Sequence, residues 1–409
     1  MNIELLSPVG DLERLHSAIE YGADAVYLAG KQFGMRASPS NFSNDELVEA
    51  VNLCHGKNVK VYVTCNSIPH NNEIELLPEY LQFLASIKVD AVIIADVGVM
   101  RLAKKYAPEL EIHISTQAGI ANYQTALAFY EMGAKRVVLA RELSLEEIIT
   151  IKKNIPEDLD IEAFVHGAMC VSFSGRCLLS SYMTGRDANR GDCSQPCRWE
   201  YELVEKKRPN ERYSIEEFSE ENKIGSTYIM NSRDMCTIEQ VPLLIKAGVN
   251  SFKIEGRAKS AYYVASTTQA YRQAIDFAVQ NPEKEIPNDI ADEVNKTSHR
   301  AYSTGFYMGD EPGQNTSDGG YIRDWDVVAV CEGREGEYLK LSQRNKFYKG
   351  EIANVLTSGE KSFDIALDDI YDKNFSEIDN APHATMDVYL KTDIQVKKGA
   401  YLRVKRNKH

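Results

Sequence analysis

The chain has 409 residues, and 43% hydrophobic with 26% charged residues is the make-up of an ordinary globular protein of two or three domains, which excludes disorder as the main state. Its 47 Lys and Arg against 60 Asp and Glu give a formal net charge of −13, a balance that repels phosphate backbones and leaves nucleic acid only a local basic patch. No apolar run approaches the roughly 18 residues of a spanning helix, and MNIELLSPVGDLERL is not a basic-then-apolar leader, so no membrane association and a cytoplasmic location are expected.

From residue 3 to about 280, short β-branched runs alternate with amphipathic stretches. The runs are IELLSPV, DAVYLAG, KVYVTCN, DAVIIAD, EIHISTQ, RVVLARE and IEAFVHG, then TYIMNS and SFKIEGR. Between them, residues 11–21 place Leu12, Leu15 and Ile19 at helical spacings, Asn44 is positioned to cap DELVEAV, and Ser144 with Glu147 reads as a capping box. AIEYGADAVYL, FYEMGAKRVVL and LIKAGVNSFKI repeat a helix end, a glycine and a buried strand. That recurrence predicts a TIM-like (β/α)8 barrel. Nine candidate strands compete for eight places, so one lies outside or the barrel is distorted.

The alternation breaks at residues 168–224, a loop excursion that carries a cysteine cluster and the charged stretch VEKKRPNERYSIEEFSEENK. It breaks again at GDEPGQNTSDGG, Gly309 to Gly320, after which the pattern has period two. The expected domains are therefore a barrel over 1–308 with the insertion 168–224, and a small C-terminal β-barrel over 321–409. From Lys391 onward there are seven Lys or Arg against Asp393. This end is either a solubilising edge strand or an RNA-contacting patch.

Eight cysteines are too few for a disulfide scaffold, yet Cys170, Cys177, Cys193 and Cys197 fall within 28 consecutive residues. Four thiolates complete either a tetrahedral zinc site or an iron-sulfur cluster. The six-residue gap between Cys170 and Cys177 suits the cluster better than a zinc knuckle, and zinc stays as the alternative. Cys54, Cys65 and Cys331 read as ordinary buried thiols, although Cys65 ends a strand.

EAFVHGAMCVSFSGRCLLS, Glu162 to Ser180, resembles the signature of the peptidase U32 family, and RDANRGDCSQPCRWEYEL, TYIMNSRDM and SFKIEGR are similar to it as well. The likeness runs over nearly the whole chain. It is greatest to members that install a hydroxyl group on nucleic-acid bases, notably the tRNA 5-hydroxyuridine proteins, which resemble the family's anaerobic quinone hydroxylases. The resemblance implies a 4Fe-4S cluster on Cys170, Cys177 and Cys193. For the fourth ligand one branch matches Cys236 and another Cys197, and Cys236 is the favoured match because successive strand ends of a barrel converge on one face. It further implies prephenate as the hydroxyl source, no use of dioxygen, and tRNA or another RNA as substrate.

In a barrel, chemistry belongs at the C-terminal strand ends, which here carry a polar ring that includes Asn66, Gln117, Arg141, Glu142, His166, Asp234, Glu255 and Arg257. His166 lies four residues before Cys170, within reach of a cluster or a substrate proton, or else it is a satisfied core histidine. Arg257 and Arg176 have the planar fork to grip carboxylates, with Gly256 leaving the backbone open to a ligand; the structural alternative for Arg257 is an ion pair with Glu255. For RNA, Arg186, Arg190 and Arg198 supply charge, and Trp199 or Tyr201 a stacking ring. Two other functions compete. A peptidase or collagenase would need a motif such as His-Glu-x-x-His, which the sequence lacks. A non-catalytic iron-sulfur subunit of a hydroxylase complex, or a homo-oligomer, remains the third reading.

Overall fold

Runs rich in Val, Ile and Leu without polar alternation suit strands covered on both faces, as in a parallel sheet wrapped by helices. The computed structural model describes residues 3–35, 41–204, 206–207, 209–210, 212–214, 216–218, 223–225, 228–316 and 319–406. In it the runs form β1 (Glu4–Pro8), β2 (Ala25–Leu28), β3 (Lys60–Cys65), β4 (Ala91–Ile94), β5 (Glu111–Ile114), β6 (Arg136–Val138), β7 (Asp160–Ala168) and an eighth strand, Ser251–Ile254. Each pairs in parallel with the next, and Ser251–Ile254 pairs with both β7 and β1, which closes the barrel.

TYIMNS is the run left outside. Thr227 falls outside the described residues, and Tyr228 onward makes a turn before Asp234–Cys236 pairs antiparallel with the end of β7. The cause is a mismatch in strand length: β6 covers β7 only from Asp160 to Glu162, so the Cys236 strand fills the uncovered edge at His166 to Ala168.

Helix starts follow the capping chemistry, with one shift. Asp11 caps Leu12–Glu20, and Ser144 with Glu147 closes the expected box on Leu145–Lys153. At Asn44–His55 the cap is Ser43, boxed with Glu46, and Asn44 is the first helical residue. Gly22, Gly133 and Gly248 take φ of +101°, +102° and +87°, the left-handed conformation that each helix-to-strand turn needs.

The N-terminal end of the barrel is plugged by charge. Arg136 bridges Glu4, Asp160 and Glu162, while Lys253 pairs with Glu162 at 2.6 Å, all but Asp160 buried or nearly so. Pairing inside a closed network is what makes such groups tolerable there. Open chemistry is left to the opposite, C-terminal end.

The C-terminal domain is an antiparallel seven-stranded sheet in the order Phe363–Ala366, Ile352–Leu356, Tyr401–Lys405, Trp325–Glu335, Tyr338–Gln343, Asp387–Lys391, Ile370–Tyr371. Its own core includes Val328, Leu339, Phe347, Val388 and Leu402. It packs on the outside of the barrel, where Tyr21 donates to the Leu356 and Gly399 carbonyls. Arg403 is fully buried at this seam and paired with Glu293. Three more of the seven cations at this end are paired with carboxylates, while Lys398 and Lys405 are exposed. Lys391 pairs with Glu337, Lys397 with Glu360, and Arg406 with Asp326 and Glu351, while Lys408 lies outside the described residues. The expected edge strand is not found: Tyr401–Lys405 lies inside the sheet, paired on one side with Ile352–Leu356 and on the other with Trp325–Glu335. The charged stretch at 204–223 falls partly outside the described residues.

Candidate functional site at the barrel mouth

Beyond Ala168 the chain leaves the barrel and loops back over the ends of β5 and β6. Four contacts hold it there. Ser174 donates from its amide at 2.8 Å and from its hydroxyl at 3.0 Å to the Glu142 carboxylate. Gly175 has φ +71° and lies so close to Gln117 that a Cβ would stand 2.4 Å from its carbonyl oxygen, so only glycine fits this crossing. Arg141 donates to the Ala168 carbonyl at 2.8 Å with its guanidinium 4.0 Å from the Phe164 ring centre. Arg198 donates to the Met169 and Ser232 carbonyls and to Asn231 Oδ1.

This loop gathers the clustered cysteines. Cys170 and Cys193 are exposed, Cys177 and Cys197 half-buried, and none forms a disulfide. Burial pushes the Cys197 thiol up, Arg198 opposes that, and Cys170, Cys193 and Cys177 add to it, so all three lie within electrostatic reach of Cys197. Arg198 in turn feels Cys197 and Cys170. Gln195 N donates to Cys193 Sγ at 3.4 Å, and Asn189 donates to the Cys177 carbonyl at 2.9 Å. No three His, Cys, Asp or Glu side chains among the described residues converge on a single metal ion. In number, donor type and company of cation and N–H donors, the four thiols fit a thiolate-bound cluster.

Cys236 stands apart from them. Its strand puts it opposite His166, with Sγ 3.9 Å from Tyr271 Oη. Burial pushes its thiol up to about 11, and the groups that act on it, the Ile238 amide, Tyr271 and Glu239, include no cysteine. Cys236, the favoured fourth ligand, is thus set apart from the clustered thiols, whereas the alternative, Cys197, lies on the loop with them. The reason is register: the antiparallel strand runs Cys236 back into the barrel as β7 carries Cys170 out of it. Cys54 and Cys65 are buried thiols pushed up to about 12, and Cys331 is buried in the C-terminal domain.

His166 is 1% exposed and ringed by Tyr263, Tyr271 and Tyr302 at 5.4 to 5.9 Å between ring centres. Desolvation holds it neutral, down to about 3, with Tyr271 Oη 3.4 Å from Nδ1. The packing is that of a core histidine and not of a group reaching a cluster or substrate proton.

Arg257 is buried and donates to the Met35 carbonyl; Glu255 accepts from Tyr27 Oη at 3.2 Å. The space over Gly256 is taken by the Tyr263 ring, where a Cβ would stand 2.5 Å from a ring carbon, so it is not the opening for a ligand that the sequence suggested. Arg176 is exposed and reaches over Gly119. Of the expected RNA contacts, Arg186 pairs with Asp192 at 2.7 Å and Arg190 with Glu73 at 2.6 Å, so both are compensated, while Arg198 is tied into the loop by neutral oxygen acceptors. Trp199 is 39% exposed, Phe173 42% and Tyr182 84%, which leaves three aromatic rings at the surface of the cysteine loop. Phe173 and Tyr182 were missed because isolated aromatics in a loop carry no spacing signal. Asp234 was legible as a strand-end residue, but its buried pairing with Arg300 at 3.2 Å joins positions 66 residues apart and carries no local signal.

Sequence profiles described as "Peptidase family U32" and "Peptidase family U32 C-terminal domain" match residues 10–317 and 323–403. Among similar proteins, "tRNA hydroxylation protein P1" of Bacillus subtilis is 35% identical over 398 residues, covering 96% of this chain and 92% of that protein. An "uncharacterized protease" of Methanocaldococcus jannaschii is 44% identical over 83% of this chain and 79% of that one. The "23S rRNA 5-hydroxycytidine C2501 synthase" of Escherichia coli is 39% identical over 68% of this chain and 40% of that enzyme. No helix among the described residues is long and apolar enough to cross a membrane.

Proposed function

The chain belongs to peptidase family U32, and from that premise we propose that it hydroxylates a pyrimidine base of RNA, in its most specific form uridine of tRNA to 5-hydroxyuridine. The observation that carries this reading is the similarity to a protein named for tRNA hydroxylation over 96% of the chain, both domains included. Cys170, Cys177, Cys193 and Cys197 are the residues that would hold a 4Fe-4S cluster at the barrel mouth. When bound, such a cluster supplies electron transfer. The chain's own groups do the rest: Ser174, Glu142 and Arg198 fix the loop over the mouth, and the surface rings Phe173, Tyr182 and Trp199 offer faces for unstacked bases. Prephenate, the proposed hydroxyl source, carries two carboxylates, for which Arg257 and Arg176 supply planar forks.

Peptide cleavage finds no support where Cys236 stands opposite His166 in the core. A thiol nucleophile needs a lowered pKa and a base beside it, whereas burial drives Cys236 up to about 11 and His166 down to about 3. The test is nucleoside mass spectrometry of RNA from cells lacking the native protein and carrying this chain, with iron and sulfide analysis of the protein purified without oxygen. Restored 5-hydroxyuridine with about four irons per chain is expected for one four-thiolate cluster. An iron-replete chain that restores no hydroxylated base would overturn the reading.

A further inference from the structure

Next to the cysteine loop lies a group of cations held by an aromatic ring. Tyr321, in the segment that enters the C-terminal domain, has Lys259 Nζ 4.5 Å, the Arg300 guanidinium 4.5 Å and the Arg323 guanidinium 5.8 Å from its ring centre. Lys259 also lies 5.3 Å from the Tyr263 ring. Of the three cations, Arg300 is buried and paired with Asp234. Lys259 and Arg323 have no carboxylate partner among the described residues, and they are half-buried and exposed respectively. In the neighbouring cysteine loop, by contrast, Arg186 and Arg190 are paired with Asp192 and Glu73.

The ring is fixed in place. His299 and Ile322 exchange two backbone hydrogen bonds at 3.3 and 2.7 Å, and His299 stacks on Tyr302 at 4.0 Å. Lys259 follows the last barrel strand, so the group sits at the mouth. Arg300 pairs with Asp234, two residues beyond Ser232, whose carbonyl accepts from Arg198 of the cysteine loop, so the cations adjoin that loop.

We propose that Lys259 and Arg323, arrayed around Tyr321, bind the phosphodiester backbone beside the nucleotide presented to the cysteine loop, a proposal that rests on the RNA reading above. Phosphate contacts position a nucleic acid without reading its sequence, and cations without carboxylate partners are the ones that release counterions on binding. Arg300, neutralised by Asp234, is a positioning residue that holds the Tyr321 ring. The spread of Lys259 and Arg323 over an accessible surface suits a chain of phosphates better than one small carboxylate, which calls for an enclosed fork.

The experiment measures affinity of the holoprotein for unmodified tRNA from low to moderate salt, for the native chain, Lys259→Gln, Arg323→Gln and, as control, Lys246→Gln, whose ammonium pairs with Glu283 on the surface. Each mouth variant should weaken binding several-fold and flatten the plot of log K against log salt by about 0.7 to 0.9 for one lost phosphate contact, with iron content normal. The control should match the native chain. Binding and hydroxylation by the native chain, with both mouth variants equal to it in affinity and slope, would overturn this proposal alone. An unchanged slope with a raised requirement for the small hydroxyl donor would overturn it in favour of a carboxylate site. A native chain that neither binds nor hydroxylates RNA would remove the proposal together with the RNA reading.

Discussion

Replacing Arg403 by Met should weaken the attachment of the C-terminal domain by about 3–5 kcal/mol, the usual cost of removing one partner from a buried ion pair. Arg403 is fully buried and donates to Glu293, Asn354, Tyr262 and Ser362, and Glu293 is itself 4% exposed. Met keeps most of the volume but leaves the Glu293 carboxylate with Lys296, 3.2 Å away, as its remaining cation partner. Arg403 holds the Glu293 carboxyl below its ordinary value against the opposing effect of burial. In the native protein that contribution is therefore present above the ordinary carboxylate pKa and lost as pH falls through the lowered folded value. In the variant, burial acts with less opposition and the carboxyl protonates more readily, so the deficit should narrow on acidification. Urea unfolding followed by Trp325 fluorescence reads the seam directly, since its ring centre lies 5.9 Å from the Arg403 guanidinium, and a Trp199→Phe background removes the second tryptophan. Arg403→Met with Glu293→Gln should recover much of the loss, because no buried charge is then unpaired. A single-variant loss below about 1 kcal/mol, or a double variant no better than the single, would refute the reasoning.

Three other outcomes follow from the site and one from its core. Alanine at Cys170, Cys177, Cys193 or Cys197 should abolish iron binding, whereas Cys236→Ala, Cys54→Ala and Cys331→Ala should retain it; iron lost with Cys236→Ala and kept with Cys197→Ala would reverse the choice of fourth ligand. Arg257→Lys should lower hydroxylation roughly ten- to a hundredfold with normal iron content, since it keeps charge but loses a charge-assisted fork worth about 1.5–3 kcal/mol. Chelation should leave the far-UV circular dichroism unchanged, because the barrel core forms without the cysteine loop. His166, held near 3, stays neutral in the folded chain while the unfolded chain takes up a proton below about 6.5, so its contribution is complete above that pH and about 2 kcal/mol of it is lost by pH 5; His166→Gln should flatten this part of the stability profile.

What the sequence could reveal was set by whether a signal is local. The barrel was legible because each βα unit repeats its own strand, cap and glycine, and Gly22, Gly133 and Gly248 do take the left-handed conformation their turns require. The excursion after β7 was legible for the opposite reason, as a break in that repetition. Which of nine runs stays outside was not legible, since it depends on β7 overhanging β6, a length mismatch between strands. The same geometry separates Cys236 from Cys170, although both read as strand-end residues. Charge was the least legible property. Seven basic residues at the C-terminal end look like a nucleic-acid patch until the fold brings Glu293, Glu337, Glu351 and Glu360 to four of them from elsewhere in the chain. Lys259, Arg300 and Arg323 share no motif, yet the fold gathers them on one tyrosine. For a chain this acidic, the count of basic residues in a segment says little about where an anion binds; what decides it is which cations the fold leaves without a carboxylate.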